Sequence, residues 1–409
     1  MKNPRTLGAS LGAPASSPAG NKKPTGTSAL PALTPKLRFP EFRDGVGWQE
    51  KALDDCLDYE QPTPYLVSDT SYSPSFRTPV LTAGKTFVLG YTNEDYGIFS
   101  ERLPVIIFDD FTTATQFVDF PFKAKSSAMK ILRAKGGANI KFMYERLQTL
   151  SYEVGAHERH WISKFAPMLV AVPKPAEQQK IAECLSTLDE LIGTERQKLD
   201  ALKAHKKGLM QQLFPREGET LPGLRFPEFR DADEWKRKAV DALVETVTPP
   251  KKLQTADYRP AGKFQVIDQS QDYICGWTDD ADAVIESGLP VVVFGDHTCA
   301  LKFVAHPFAQ GADGIKIMKA KKDVSDDFLF FSLQASPVQQ ESYKRHFSTL
   351  RERMIAFPER DSGEQQRIAS CLSSLDDLIA AQNNKLEALK THKKGLMQQL
   401  FPSPGEAEA

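Results

Sequence analysis

The side chains in this chain that are best suited to bind a charged ligand are lysines and arginines that follow two short apolar runs. The groups are Lys123, Lys125, Lys130, Arg133, Lys135 and Lys141 in the first half, and Lys302, Lys316, Lys319, Lys321 and Lys322 in the second. Each group contains few acidic residues, and Phe, Tyr and Gly are interspersed. Such clusters can follow a phosphate backbone while nearby Asn, Gln, Arg and Thr read base edges. A solvated basic face is the alternative.

An Arg-His pair occurs at equivalent places in the two halves, as Arg159-His160 and Arg345-His346. A hydrogen-bonded structural pair and a DNA contact are both open interpretations of it. The candidate DNA-binding residues are Lys123, Lys125, Lys130, Lys141, Arg159, His160, Lys302, Lys316, Lys319, Arg345 and His346.

Catalytic motifs are missing from the sequence. The AGKT stretch at 83–86 lacks the first glycine of a P-loop, and G-x-G-x-x-G, H-E-x-x-H and Asn-Pro-Pro-aromatic patterns do not occur. The five cysteines include no C-x-x-C pair, so neither a disulfide framework nor a zinc site is expected. We predict a non-catalytic chain without a metal site, in a reducing cytoplasm. An unrecognised enzyme using His157, Glu158 and His160 remains an alternative.

Length and charge restrict the interpretation further. A chain of 409 residues predicts two domains, and its net charge of −1 gives no global attraction to a polyanion. No run of eighteen apolar residues occurs, so no membrane span is expected. Residues 1–34 are rich in Ala, Gly, Pro, Ser and Thr, which predicts a disordered tail rather than a signal peptide.

The chain contains a tandem duplication. Residues 177–215 (EQQKIAECLSTLDELIGTERQKLDALKAHKKGLMQQLFP) and 364–402 (EQQRIASCLSSLDDLIAAQNNKLEALKTHKKGLMQQLFP) are identical at about 28 of 39 positions. The LRFPEF segments at Leu37 and Leu224 show the same displacement of 187 residues. Between these anchors the copies diverge, although LPVIIFDDFTTATQFVDFPF still matches LPVVVFGDHTCALKFVAHPF. One fold is therefore expected twice, with a rewritten surface.

Apolar β-branched runs at Val105–Phe108 and Val291–Phe294 predict short buried strands, and the fold class is α+β with two mixed α/β domains. The predicted boundaries are a tail at 1–34, a first domain at 35–172, a helix at 173–215, a second domain at 216–358, a helix at 359–402 and a tail at 403–409. Pro173 and Pro175 precede the first helix, Asp361 and Ser362 offer N-caps for the second, and Pro215 and Pro402 stop them.

The repeated helices carry a heptad seam. Its residues are Ile181, Leu185, Leu188, Ile192, Leu199, Leu202, Leu209 and Leu213, repeated as Ile368, Leu372, Leu375, Ile379, Leu386, Leu389, Leu396 and Leu400. Glu195, Lys206, Gln382 and Lys393 interrupt it with polar side chains that can fix register. Homodimerisation is one interpretation. We favour an intramolecular antiparallel coiled coil with pseudo-two-fold symmetry, because one chain supplies both helices.

This layout of LRFPEF segment, variable domain and EQQKIA helix ending in KKGLMQQLFP, written twice, resembles the specificity (S) subunit of Type I restriction-modification systems. The resemblance covers about residues 36 to 402. It implies that each variable segment is a target recognition domain for one half of a bipartite DNA site, and that the helices set the spacing.

The same resemblance implies two modification subunits that carry S-adenosylmethionine and methylate adenines, and two restriction subunits that use ATP and Mg. It implies no cofactor on this chain itself. A coiled-coil adaptor that joins two ligand-binding domains without reading DNA is the alternative.

Overall fold

The computed structural model describes residues 33–82, 86–150, 152, 159–312, 314–341 and 344–402. The predicted tails therefore lie almost entirely outside the described residues. The chain divides into two compact units, of which the first comprises residues up to 186 and from 394 onward, and the second comprises residues 187–393. Each repeat copy contributes to both units, because the division falls within the long helices.

The first unit is built on three small sheets. Its strands are β1 Gln49–Ala52, β2 Leu57–Glu60, β3 Thr78–Leu81, β4 Val88–Thr92, β5 Val105–Asp109, β6 Thr115–Val118, β7 Lys123–Ala124, β8 Met129–Ala134 and β9 Leu169–Val172. One antiparallel sheet has the order β2-β8-β5-β6, a second has the order β4-β3-β7, and β1 pairs with β9. Its short helices are α1 Leu53–Cys56 and α2 Ile140–Gln148, with a π-helix at Trp161–Phe165.

The long helix α3 follows at Pro175–Leu213. The second unit then repeats the plan of the first. Its strands are β10 Lys236–Ala239, β11 Val244–Val247, β12 Phe264–Ile267, β13 Gly276–Thr278, β14 Val284–Ile285, β15 Val291–Gly295, β16 Leu301–Val304, β17 Phe308–Gln310, β18 Ile315–Ala320 and β19 Met354–Phe357. The sheets have the orders β11-β18-β15-β16, β13-β12-β17-β14 and β10-β19. Its helices are α4 Val240–Leu243, α5 Asp326–Ala335, α6 Phe347–Glu352 and α7 Glu364–Leu400.

The two predicted apolar strands are confirmed as β5 and β15. Every residue of both strands is buried, which explains why their sequences are continuously apolar rather than alternating. Each strand lies between two antiparallel neighbours, so its backbone groups are satisfied on both edges. These strands form the centre of their units.

The long helices begin near the predicted signals, although Pro175 lies inside α3 rather than before it, and α7 begins two residues after Ser362. Pro175 occupies the first helical position of α3, where its missing N–H costs nothing. Ser362 Oγ accepts a hydrogen bond from the N–H of Glu364 at the start of α7. Each helix ends at a leucine followed by Phe-Pro, so the end of the helix coincides with a residue that cannot continue it.

Within each unit the two long helices run antiparallel. In the first unit, Leu185 near the start of α3 shares an apolar core with Leu396 and Leu400 at the end of α7. In the second unit, Leu372 near the start of α7 shares a core with Leu209 and Leu213 at the end of α3. The predicted α+β class, with two long helices that pair antiparallel inside one chain, is confirmed.

The aromatic residue after each helix anchors the helix end in a globular core. The ring of Phe401 packs edge-on against Trp48, with ring centroids 6.2 Å apart. It packs at a tilt against Phe142, with centroids 5.4 Å apart. In the second unit Phe214 lies 6.4 Å from Trp235 and is similarly inserted. Each helix end is therefore packed into the core of a globular unit.

A bidentate ion pair fixes each LRFPEF segment to a helix start. Arg38 donates Nε and Nη2 to the two carboxylate oxygens of Glu177, both at 2.7 Å, and Arg225 does the same to Glu364. The side chains of the second pair are only 9% and 1% exposed. Because a buried charge that loses its partner stays desolvated, these pairs hold the junction tightly once formed.

We predict that Glu364→Ala lowers the free energy of unfolding by about 3 kcal/mol, because Arg225 is left buried without its carboxylate. The matched control is Glu228→Ala, which removes the roughly half-exposed partner of Arg367 and should cost less than about 1 kcal/mol. Urea denaturation of the full chain measures both. Equal losses in the two variants would show that the junction pair is no stronger than a surface pair.

Candidate nucleic-acid interface

Lys123 lies inside the first unit rather than on its surface. Its side chain is fully buried, its amine is 2.5 Å from a carboxylate oxygen of Glu94, and it donates a hydrogen bond of 2.8 Å to the carbonyl of Tyr96. Glu94 in turn accepts from the N–H groups of Ser68 and Asp69, and these contacts lower the pKa of its carboxyl against the opposing effect of burial. The amine therefore ties surface loops to the sheet.

Lys130 and Lys302 are buried as well. Lys130 Nζ is 3.3 Å from Asp110, with both side chains almost fully enclosed. Lys302 Nζ donates to the carbonyls of Asp268 at 2.8 Å and Asp272 at 2.6 Å, and burial lowers its pKa. In this structure these amines hold the fold together, and their contact with DNA stays a prediction.

The other candidate lysines are nearer the surface, and they differ in whether they form ion pairs. Lys141 pairs with Glu145 at 2.7 Å, and Lys319 pairs with Asp326 at 2.8 Å. Lys316 is half-buried with its amine 5.6 Å from the ring of Phe347, while Lys125 is exposed. Lys125 and Lys316 are thus better placed than the ion-paired lysines to meet a phosphate.

The Arg-His pairs divide into an exposed arginine and a buried histidine. Arg159 and Arg345 are exposed, and among the described residues their guanidinium groups make no hydrogen bond or ion pair. His160 and His346 are each only 1% exposed. The arginine of each pair is therefore the member that a polyanion can reach.

A buried aspartate holds each pair in place. In the first unit the His160 N–H donates to the carbonyl of Asp110 at 3.0 Å, and the Trp161 N–H donates to its carboxylate at 2.8 Å. In the second unit the His346 N–H donates to the Asp296 carbonyl at 2.8 Å. These two aspartates, one residue past the central strand in each copy, were not among the predicted site residues. Their signal was the Asp retained in both matched stretches, FDDFTTA and FGDHTCA.

Four segments of the second unit are joined by hydrogen bonds around the turn that begins at Asp296. They are residues 268–273, residues 296–300, residues 311, 312 and 314, and residues 340, 341 and 344–346. Thr298 Oγ1 donates to the Gln269 carbonyl at 2.5 Å, and the Asp296 N–H donates to the Gly314 carbonyl at 2.6 Å. Gln340 Nε2 donates to the carbonyl of His297 at 3.2 Å. We call these four segments the Asp296 loop cluster.

The corresponding loops of the first unit are only partly described. Residues 83–85 and 153–158, including the alternative catalytic residues His157 and Glu158, lie outside the described residues. The hairpin turn is described in both units, and its backbone is the same. Thr113 and the equivalent Cys299 both have positive φ, at 60° and 55°. The turn therefore keeps its backbone shape while its side chains differ. For example, Phe111 of the first unit is replaced by His297 at the equivalent position of the second.

The seam residues of the helices are all at least half-buried. Those that are almost fully enclosed are Ile181, Leu185, Leu199, Leu213, Ile368, Leu372, Leu386 and Leu400. Those that are half-buried are Leu188, Ile192, Leu202, Leu209, Leu375, Ile379, Leu389 and Leu396. Most polar residues on the remaining faces are exposed, apart from those at the helix starts such as Gln178 and Gln365, which are buried.

The polar interruptions of the seam all form polar contacts with the opposite helix inside the second unit. Gln382 Nε2 donates to Glu195 Oε2 at 2.6 Å, and Lys385 Nζ lies 2.8 Å from Glu195 Oε1. Lys206 pairs with Asp376 and Lys393 with Asp189, both at 2.6 Å. A one-turn slip would separate all of these partners, so the polar contacts define a single register.

Hydrogen bonds from Lys385 and Gln382 lower the pKa of Glu195 from its ordinary 4.5 to about 2. The carboxylate is therefore held in its charged form, although its side chain is almost fully enclosed between the helices.

Within the described part of the chain, no group of three or more His, Cys, Asp or Glu residues could hold a metal ion. No described helix combines the length and apolarity needed to cross a bilayer.

Comparison with known proteins gives consistent results, although no family model matches the chain. The chain is 43% identical over 173 residues to the specificity subunit of the Type I restriction enzyme EcoR124I/EcoR124II of Escherichia coli, an alignment of 40% of this chain and 43% of the relative. It is 25% identical over 259 residues to a putative Type I restriction enzyme MjaX specificity subunit of Methanocaldococcus jannaschii, covering 57% and 58%. The chain thus spans about half the length of these curated relatives.

Among solved structures, an S subunit of a Type I restriction-modification system from M. genitalium matches with a TM-score of 0.63. The match has 14% sequence identity and covers 91% of this chain and 100% of that chain, so it shows a shared fold. The predicted resemblance to Type I specificity subunits is confirmed.

We predict that the folded chain loses stability as the pH falls from about 4.5 to about 2. Above this range the Glu195 carboxylate is charged and its contacts stabilise the folded chain. Within this range the carboxylate becomes protonated and this stabilisation is lost. Glu195→Gln should reduce this acid-dependent loss, measured as the difference between urea midpoints at pH 6 and pH 3. The control is Glu190→Gln, an exposed carboxyl on the same helix. An acid response that Glu195→Gln leaves unchanged would contradict the prediction.

Proposed function

We propose that this chain is the DNA sequence-recognition subunit of a Type I restriction-modification complex, and that each globular domain reads one half of a bipartite site. The observation that supports this most strongly is the repetition of one sheet plan in a single chain, with divergent loops and nearly identical helices. Two reading domains joined covalently discriminate far better than one, because the second engagement is effectively intramolecular.

The paired helices set the spacing between the two half-sites. Their seam is apolar, their register is defined by Glu195, Lys206 and Lys393, and their ends are anchored in packed cores by Phe214 and Phe401. A helix anchored at both ends and paired along its length resists bending. Such a rod suits a fixed number of unspecified base pairs better than a variable one.

The helices also dock two modification subunits that carry S-adenosylmethionine. Leu191 in α3 and Leu378 in α7 occupy equivalent repeat positions, and they are 41% and 54% exposed. Exposed apolar side chains duplicated in this way suit two copies of one partner. Two restriction subunits that use ATP and Mg complete the assembly in the cytoplasm. The chain itself supplies no catalytic group and binds no cofactor, so methylation and cleavage belong to its partners.

We predict that deleting residues 194–197 together with the equivalent 381–384 shortens the unspecified spacer while leaving both half-site words unchanged. Removing four residues from each helix shortens the rod by roughly 6 Å, or about two base pairs at ~3.4 Å each. The double deletion removes Glu195 and Gln382 together, so neither is left facing a missing partner. Deletion of 194–197 alone serves as the control, which should also disturb the register.

Methylome sequencing of cells that express each deletion variant with its modification subunit measures the outcome. Changed words with an unchanged spacer would reject the proposed role of the helices.

A second prediction concerns the domains. Replacing residues 45–172 by the corresponding segment of a relative should change one half-site word and leave the other word intact, because the second unit keeps its own core and loops. Sequencing of methylated adenines reads both words in one experiment. A simultaneous change in both words, with the protein folded, would contradict independent reading, and methylation that no longer depends on any bipartite word would favour the adaptor role.

A further inference from the structure

We propose that the Asp296 loop cluster is the surface through which the second domain reads its half-site, with Arg345 on a DNA phosphate and the amide of Gln271 on a base edge. This inference rests on the proposed function and adds the location and the division of roles. It starts from the fact that four loops, distant in sequence, are joined by hydrogen bonds into one surface.

The first step is the exposure of suitable groups on this surface. Arg345 and Gln271 are both exposed, and an arginine is well suited to a phosphate while a glutamine amide matches an adenine edge. Lys316, half-buried on the neighbouring strand β18, adds positive charge. Glu341 is the acidic side chain closest in sequence to Arg345, and it is paired with Lys344. The positive charge of Arg345 is thus left uncompensated within the described residues.

The second step is the rigidity of the loops. Lys302 Nζ donates to the Asp268 and Asp272 carbonyls and so closes the loop that carries Gln271. The Asp296 carboxylate accepts from the N–H groups of His346 at 3.0 Å and Phe347 at 2.8 Å, which fixes the backbone next to Arg345. Loops held in this way present their side chains with little ordering cost on binding.

The third step is the contrast between the two units. Three features are the same in both units although most neighbouring residues differ. They are the buried aspartate (Asp110 and Asp296), the arginine (Arg159 and Arg345) and the positive φ in the hairpin turn. A phosphate contact carries no sequence information and can therefore be kept in both domains. Residues that read bases must differ when the two words differ. Retained arginine and changed loop side chains fit this division of roles.

The arginine is tested with Arg345→Ala in the full chain, assembled with its modification subunit, on duplexes that carry the methylated site. We expect lower affinity for all sequences alike, and a salt dependence of log Kd that is shallower by about 0.9, the contribution of one phosphate. Lys322→Ala removes an exposed cation of the same domain outside the cluster and is the matched control. An affinity and a salt slope equal to those of the control would overturn the arginine's role.

The base-reading role of Gln271 is tested with Gln271→Ala on duplexes with single changes in either half-site. We expect discrimination to fall by about 10-fold or more at positions in the second half-site only. Gln366→Ala, an exposed amide on α7, is the control. Discrimination by Gln271→Ala equal to that of the control, or relaxation in the first half-site, would overturn the reading role.

The two levels of the argument can be separated in the same experiments. Failure of the wild-type complex to prefer any bipartite site would reject the proposed function itself. A wild-type complex that binds specifically, beside folded variants that behave like their controls, would reject only the assignment of the Asp296 loop cluster.

Discussion

The contact between Glu195 and Gln382 is the constraint on which the helix pairing depends. These residues occupy equivalent positions in the two repeats, and they meet each other because an antiparallel pair brings equivalent residues together only at its centre. Two glutamates there would place like charges side by side, whereas two glutamines would leave Lys385 without its carboxylate. The difference between the copies therefore makes α3 and α7 complementary to each other, and less suited to pairing with a second copy of themselves.

Part of this architecture could be predicted from the sequence. Helix positions, the seam and the central strands β5 and β15 depend on periodicity and on continuous apolar runs, which are local properties of the chain. The burial of Lys123 and Lys302 could not be predicted in this way. Glu94 lies far from Lys123 in the sequence, and the acceptors of Lys302 are main-chain carbonyls that have no sequence signal. A run of lysines shows charge but does not show which amines the fold uses internally.

The same reason explains why Asp110 and Asp296 were missed as organising residues. A sequence search for DNA contacts favours cations and amides, whereas these aspartates are buried acids that bind backbone N–H groups. Their importance comes from position, one residue past a central strand and beside the turn that leads to the next strand. Sequence spacing could show that they recur, but only the folded chain shows that they join the hairpin turn to the Arg-His segment.

The loop supports have a property that suits a domain whose specificity must change. Lys302, Thr298 and Gln340 all donate to main-chain carbonyls, and Lys123 does so at Tyr96. A carbonyl is present whatever the side chain, so residues such as Gln269, Asp272 and His297 can be replaced without losing the acceptor they supply. Because the supports depend on the backbone, the exposed side chains of the loops can diverge while the loop shapes persist. This arrangement accounts for two domains with one fold and different surfaces in the same chain.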